Sequence, residues 1–169
     1  MITICCPVKL WPATASALAQ YAQDALIVPI DGSDITQPWT TYASYWGKDD
    51  LLIVEQDVIL HGDVLPQLEA CPEPWCLFPA RHYAQGGGWM KDGIMCNRFR
   101  KEFMEAVPVE AVEAIYGCCP RCNGLEPKCW GHIDGRTREA GEAAGFQIHV
   151  HWPSVGHRDS LPGETEIRP

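Results

Sequence analysis

Residues 51–57 read Leu-Leu-Ile-Val-Glu-Gln-Asp. A short uncharged run of this kind is the pattern of a buried strand, and it stops on two carboxylates, Glu55 and Asp57. On extended backbone, positions i and i+2 share a face. Both acids therefore converge where a parallel strand would leave its sheet, which is where open α/β sheets bind ligands. Paired carboxylates there suit a hard divalent cation that also holds phosphate oxygens; an acidic turn that caps local backbone is the alternative. A second group is His149, His151 and His157, three of the six histidines within nine residues. On a strand, His149 and His151 share a face, and imidazole suits transition metals. A third is Trp130-Gly131-His132-Ile133-Asp134, directly ahead of a helical pattern. Asp134 there is either a helix N-cap or, inside a cleft, a general base. The fourth is Cys119-x2-Cys122-x6-Cys129-x2-His132, with Cys118 able to replace one donor. Its spacings are compatible with a tetrahedral structural zinc; loosely packed free thiols are the alternative. A zinc there would stiffen the loop that carries Trp130 and Asp134. Cys71 and Cys76 flank a Pro-Glu-Pro-Trp turn and could bridge, join a metal site or be inert.

These groups must be positioned by regular elements. Hydrophobic patterning predicts strands over residues 2–6, 26–30, 51–54, 75–78, 94–97 and 146–151. Helices are expected over 16–25, 36–46, 62–70, 98–106, 109–116 and 137–144, with Gly145 ending the last. Gly86-Gly87-Gly88 marks a loop, and a Cys/Pro/Gly-rich loop covers 117–128. Strands that alternate with helices over the first half argue for βαβ units. The fold class expected is α/β, one domain with a mainly parallel central sheet flanked by helices and a Cys-rich loop. The domain spans 1–157, and a polar, Pro-rich tail covers 158–169.

Composition narrows the function. The chain has 169 residues, 46% hydrophobic and 21% charged, with a formal net charge of −9. That is enough chain to bury a core without staples. The negative charge does not advertise bulk nucleic-acid binding. Two basic clusters, Arg98/Arg100/Lys101 and Arg136/Arg138, leave a local basic face open. No run is long enough to span a membrane, and the first residues lack the charged and apolar regions of a secretory leader. An intracellular, cytoplasmic protein is expected. Nine cysteines, an odd number, argue against a complete disulfide framework. Cys5, Cys6 and Cys96 lie in apolar runs and are expected in the core. Trp11, Trp39, Trp46 and Trp75 are expected in or near the core, whereas Trp89 and Trp130, beside glycines in loops, are better placed to stack on a ligand.

Read in order, Glu55-Gln56-Asp57, Gly86-Gly87-Gly88-Trp89, Trp130-Gly131-His132-Ile133-Asp134 and Ser154-Val155-Gly156-His157 resemble the motif series of a minimal GT-A glycosyltransferase. The Val-Gly-His ending, and the stretch from Arg136 to Val155, are similar to those of polypeptide N-acetylgalactosaminyltransferases. The likeness spans about residues 1–157. It implies that Asp57 and His157 ligate Mn2+ or Mg2+, with Glu55 on the same ion through water or holding the ribose. It implies a nucleotide-sugar donor, a UDP-sugar first, contacted by Pro7, Val8, Asp31, Gln56, Gly88, Trp89 and Trp130. Asp134 takes the position of the general base in inverting members, although Ile133 stands where the family has a further acid. Small proteins of this look occur in phage genomes, which implies a bacterial host's cytoplasm. The implied acceptor is a macromolecule, either hydroxymethylpyrimidine in phage DNA (a DNA-modification role) or a phage structural protein. Two readings compete: a zinc-stabilised interaction module, and a metal-dependent nucleotidyltransferase or phosphohydrolase using the same carboxylates.

Overall fold

The computed structural model describes residues 1–82, 88–91, 94–115, 126, 128–130 and 133–157. The elements run β1 (Ile2–Cys5), α1 (Pro12–Tyr21), β2 (Leu26–Ile27), α2 (Gln37–Ala43), β3 (Leu51–Val54), β4 (Val58–Ile59), α3 (Val64–Ala70) and β5 (Trp75–Leu77). They continue with β6 (Ala80–His82), β7 (Gly88–Met90), β8 (Cys96–Phe99), α4 (Lys101–Ala106), α5 (Val109–Glu113), α6 (Ile133–Ala143), β9 (His149–Val150) and β10 (Gly156–His157).

Six strands form the central sheet in the order β2-β1-β3-β8-β5-β9. The β1/β2, β1/β3 and β5/β9 pairings are parallel. β8 runs antiparallel to both of its neighbours, β3 and β5. The sheet is therefore mostly parallel, as expected, with one reversed strand inserted at its centre. Helices cover both faces, and the side-chain alternation of the central strands shows why. Leu52 and Val54 of β3 face a core built with Ala17 and Leu18 of α1 and Val64 and Leu68 of α3. Leu51 and Ile53 face the other core, with Trp39 and Tyr42 of α2, Phe103 of α4, Val112 of α5 and Ile133 and Ala140 of α6. A strand covered on both faces reads as a continuous apolar run, which is why 51–54 was legible. Among the described residues no helix is long and apolar enough to cross a membrane.

Several boundaries differ from expectation. The first helix begins at Pro12 rather than residue 16, because proline presets the first helical φ and lacks only an N–H that would go unbonded there. Arg98 belongs to a strand, not to a helix. Phe99 pairs across to both Leu51 and Trp75, so cross-strand packing carries β8 past the expected start of the next helix, which begins at Lys101. The last long strand contracts to His149–Val150. Gly145 does end α6, with a positive φ of 89°, and Phe146 N–H returns to the Gly141 carbonyl at 2.9 Å.

The expected core residues are inside. Cys5, Cys96, Trp39 and Trp75 are buried. The buried indole N–H groups find partners: Trp75 Nε1 donates to Asn97 Oδ1 and Trp39 Nε1 to Glu113 Oε1. Each of the two basic clusters has one member withdrawn from the surface. Arg98 and Arg136 are each only 1% exposed. Arg98 donates to the Cys71 and Glu73 carbonyls and to the Cys76 sulfur, and Arg136 to the Glu126 carbonyl. Buried guanidinium groups that are hydrogen-bonded to the protein offer nothing to a phosphate backbone.

Candidate metal and nucleotide site

β3 ends at Val54 and puts Glu55 at its C-terminal end; Gln56 and Asp57 follow in a turn closed by the Val58 N–H on the Glu55 carbonyl at 3.2 Å, not on the extended backbone expected. The chain then turns straight into β4, which pairs antiparallel with β10. Val58 is thereby opposite His157 in register, which brings the imidazole beside Asp57, one hundred positions earlier in the chain. His157 Nε2 lies 3.6 Å from Asp57 Oδ1, and its side chain is 5% exposed. The donor atoms of Glu55, Asp57 and His157 all lie within 4.8 Å of one another. Gly156 makes this approach possible: a Cβ there would sit 3.1 Å from Ile59 Cβ. Val155 anchors the segment in the core, with its N–H on the Pro79 carbonyl.

Asp134 enters from the first turn of α6. Its Oδ1 accepts from the Ile94 N–H at 2.8 Å, while the Glu55 N–H donates to the Met95 carbonyl at 2.8 Å. The adjacent residues 94 and 95 thus tie the two acids to one another. Burial first, then the negative charges of Asp134 and Asp57, push the Glu55 carboxyl up to about 8. Three carboxyl groups and one imidazole crowd this end of the sheet. Two carboxylates and an imidazole make an oxygen-rich donor set with one nitrogen, which fits Mn2+ or Mg2+ better than a thiophilic ion.

A cleft of about 200 Å³ opens beside the acids, lined by Cys6, Val8, Ile30, Asp31, Gly32, Asp34, Ile35, Pro38, Tyr42, Glu55, Gln56, Asp57 and Trp130. It lies beyond the C-terminal ends of β1, β2 and β3, as parallel strands dictate. Of the residues expected around a nucleotide, Val8, Asp31, Glu55, Gln56 and Trp130 line it. Pro7 does not line it; its carbonyl accepts the N–H of Ile30, which does. Gln56 acts on the loop itself: its Oε1 accepts from the N–H groups of Val8 and Lys9 at 3.0 and 3.1 Å. The Asp31 carboxylate accepts from the Ser33 N–H, which holds it below the usual carboxylate range. Trp130 is held by its N–H on the Ile35 carbonyl and by its ring against Tyr42, with centroids 5.4 Å apart.

Gly88 and Trp89 are not among the cleft residues. They belong to the β6–β7 hairpin, where the Trp89 ring meets Trp152 edge-on with centroids 5.1 Å apart; an aromatic partner inside the protein outcompetes an open loop position. Tyr42 and Cys6 were not foreseen in the cleft. Tyr42 lies within the stretch 36–46 expected to be helical, and Cys6 in an apolar run expected in the core. Burial pushes Cys6 up to about 11, so it stays a neutral thiol at physiological pH. Of the expected zinc donors, Cys129 is buried and reduced, whereas Cys119, Cys122 and His132 lie outside the described residues, as does Cys118. His149 and His151 do converge, but on Cys71 rather than on His157.

Fold and site together define a mixed α/β protein with an acidic, histidine-bearing centre at the mouth of a cleft. No protein-family model matches the chain, and no curated protein does. Among solved structures, it is similar to the crystal structure of A197 from STIV, with a TM-score of 0.55 over 92% of this chain and 83% of that one. The two share 10% identity, a likeness of fold alone.

Proposed function

We propose that the chain is a metal-dependent glycosyltransferase of GT-A type, moving a sugar from a nucleotide-sugar to a hydroxyl acceptor, with inversion. The observation that carries this reading is the meeting of Asp57 with His157 at 3.6 Å, with Glu55 alongside, at the edge of the cleft. Glu55, Asp57 and His157 would hold Mn2+ or Mg2+. When bound, that cation supplies Lewis-acid neutralisation of a diphosphate leaving group. The cleft's other residues suit a nucleoside: Trp130 offers a stacking face, Asp31 a hydrogen-bond acceptor for a ribose, and Gln56 clamps the loop at Val8 and Lys9 that would lie beside the base. Asp134 takes the proton of the acceptor hydroxyl as that oxygen bonds the anomeric carbon and the carbon–oxygen bond to the diphosphate breaks. With Arg98 and Arg136 buried and a net charge of −9, a protein acceptor is favoured over DNA.

The test is a thermal-shift screen of UDP-sugars with and without Mn2+, followed by turnover assays. A ligand of the native state raises the melting temperature by mass action. Asp57→Ala and His157→Ala are each expected to abolish the metal-dependent part of the shift and of turnover. Unchanged behaviour in both overturns the reading. Release of pyrophosphate from a nucleoside triphosphate, without sugar transfer, would instead identify a nucleotidyltransferase built on the same carboxylates.

A further inference from the structure

A second cluster of metal-binding side chains lies away from the cleft. β9 is the edge strand of the sheet, held to β5 with His149 opposite Cys76. The chain continues past β9 with the His151 N–H on the Leu77 carbonyl at 2.8 Å. Positions 149 and 151 share a side of the strand, and their rings stand 4.7 Å apart between centroids. Cys71 reaches the same place from the C-terminal end of α3. The Cys71 sulfur and one ring nitrogen from each histidine all lie within 4.8 Å of one another. Three strand spacings separate β9 from β3, roughly 14 Å, so this group stands apart from Glu55, Asp57 and His157.

Three observations point to a ligand here. His151 Nε2 is buried and has no hydrogen-bond partner, a condition that costs about 1–3 kcal/mol in a buried polar atom. The ring is fixed from one side, stacked on Phe78 with centroids 5.0 Å apart at 20°. Cys71 is 5% exposed and reduced, so its sulfur is available as a donor but shielded from bulk oxidants. His149 is exposed, which leaves a path from solvent. Cys76 hydrogen-bonds the Cys71 side chain and its sulfur also accepts two N–H groups from Arg98, so it sits beside the three converging donors without being one of them.

We propose that Cys71, His149 and His151 form a binding site for one borderline-soft divalent ion of the Zn2+ class, completed by a water. One thiolate and two imidazoles are donors of that chemistry. Tetrahedral donors around zinc lie roughly 3.3–3.6 Å apart, so the three side chains close by about 1 Å on loading. Binding releases the thiol proton to solvent and gives the His151 ring a bonded partner. The thiolate offsets one of the two charges of the ion, which matters because the Arg98 guanidinium donates to the Cys71 carbonyl. The ion would tie the end of α3 to a two-residue edge strand, just upstream of the segment that carries His157. The proposal does not depend on the reading of the cleft.

The test uses Co2+ as a spectroscopic stand-in for Zn2+ on the full chain, stripped of metal. Cys119→Ser/Cys122→Ser is the background, so that the Cys-rich loop contributes no thiolate. One equivalent of Co2+ is expected to give a thiolate-to-cobalt charge-transfer band that Zn2+ displaces. Cys71→Ser should abolish the band, and His149→Ala should weaken binding by more than about tenfold. Because residue 149 is exposed, His149→Ala keeps the fold even where Cys71→Ser does not. Asp57→Ala should leave the band in place, which separates this site from the cleft. Zn2+ should also raise the melting temperature of the background protein and not that of His149→Ala. No band, a band that survives Cys71→Ser, or affinity unmoved by His149→Ala overturns the proposal.

Discussion

Glu55 offers a direct measurement of the electrostatic tension at the cleft. Without a cation its carboxyl titrates at about 8 instead of 4.5, through burial and then through Asp134 and Asp57. In the unfolded chain it titrates normally. Below pH 4.5 both states hold the proton, and the group contributes no difference. Between 4.5 and 8 the unfolded chain releases the proton and the folded one keeps it, so stability falls by about 1.4 kcal/mol per pH unit. Above 8 both are ionised and the loss levels off. Over the whole window it amounts to roughly 5 kcal/mol, a large fraction of a typical domain's stability. Glu55→Gln removes the titration while keeping the size of the side chain. The assay is urea unfolding in EDTA at pH 5 and pH 8.5 for both proteins. The variant should gain several kcal/mol over wild type at pH 8.5 and little at pH 5. Mn2+ takes the place of the proton, so it should stabilise the wild type far more at pH 8.5 than at pH 5, by about 2.7 kcal/mol at one hundred times its Kd. It should do much less for the variant. Equal pH dependence in the two proteins, or a Mn2+ effect that is the same at both pH values, refutes the argument.

Asp134→Asn keeps an oxygen for the Ile94 N–H but cannot accept a proton, so turnover should fall by about 10² or more with nucleotide affinity nearly unchanged by calorimetry. The same variant removes a charge from beside Glu55, so the fall in stability should shift to lower pH in the unfolding assay. Trp130→Ala should weaken nucleotide binding by about tenfold or more through lost stacking, worth roughly 1–3 kcal/mol, while Mn2+ binding alone is kept. Gly141→Ala places a Cβ 2.7 Å from Trp75 Cζ3 and 3.1 Å from Phe103 Cε2; overpacking of that kind costs about 1–3 kcal/mol, read as a lower denaturant midpoint.

The residues whose role follows from local pattern were legible in the chain itself. A four-residue apolar run that stops on polar residues is the pattern of a buried strand, and it placed Glu55 at a strand end; Asp57 joins it through a turn after Val54 rather than through the pleat. Gly145 after a helical stretch is equally local, because only the backbone's handedness is at stake. Tertiary structure decided what depends on which distant elements meet. The β4–β10 ladder joins Asp57 to His157, and no local rule selects that register. Arg98 and Arg136 looked like surface cations because charge is normally solvated; in the fold, buried backbone carbonyls and a sulfur take their N–H groups instead. Gln56, read as a ligand contact, spends its side-chain oxygen on the loop at Val8 and Lys9. His149 and His151 were placed on one strand face by their spacing, but the thiol that meets them, Cys71, comes from the end of a helix that only sheet order brings to the β9 edge. Spacing along a chain determines which side chains share a face, whereas the packing of strands and helices determines which faces share a site.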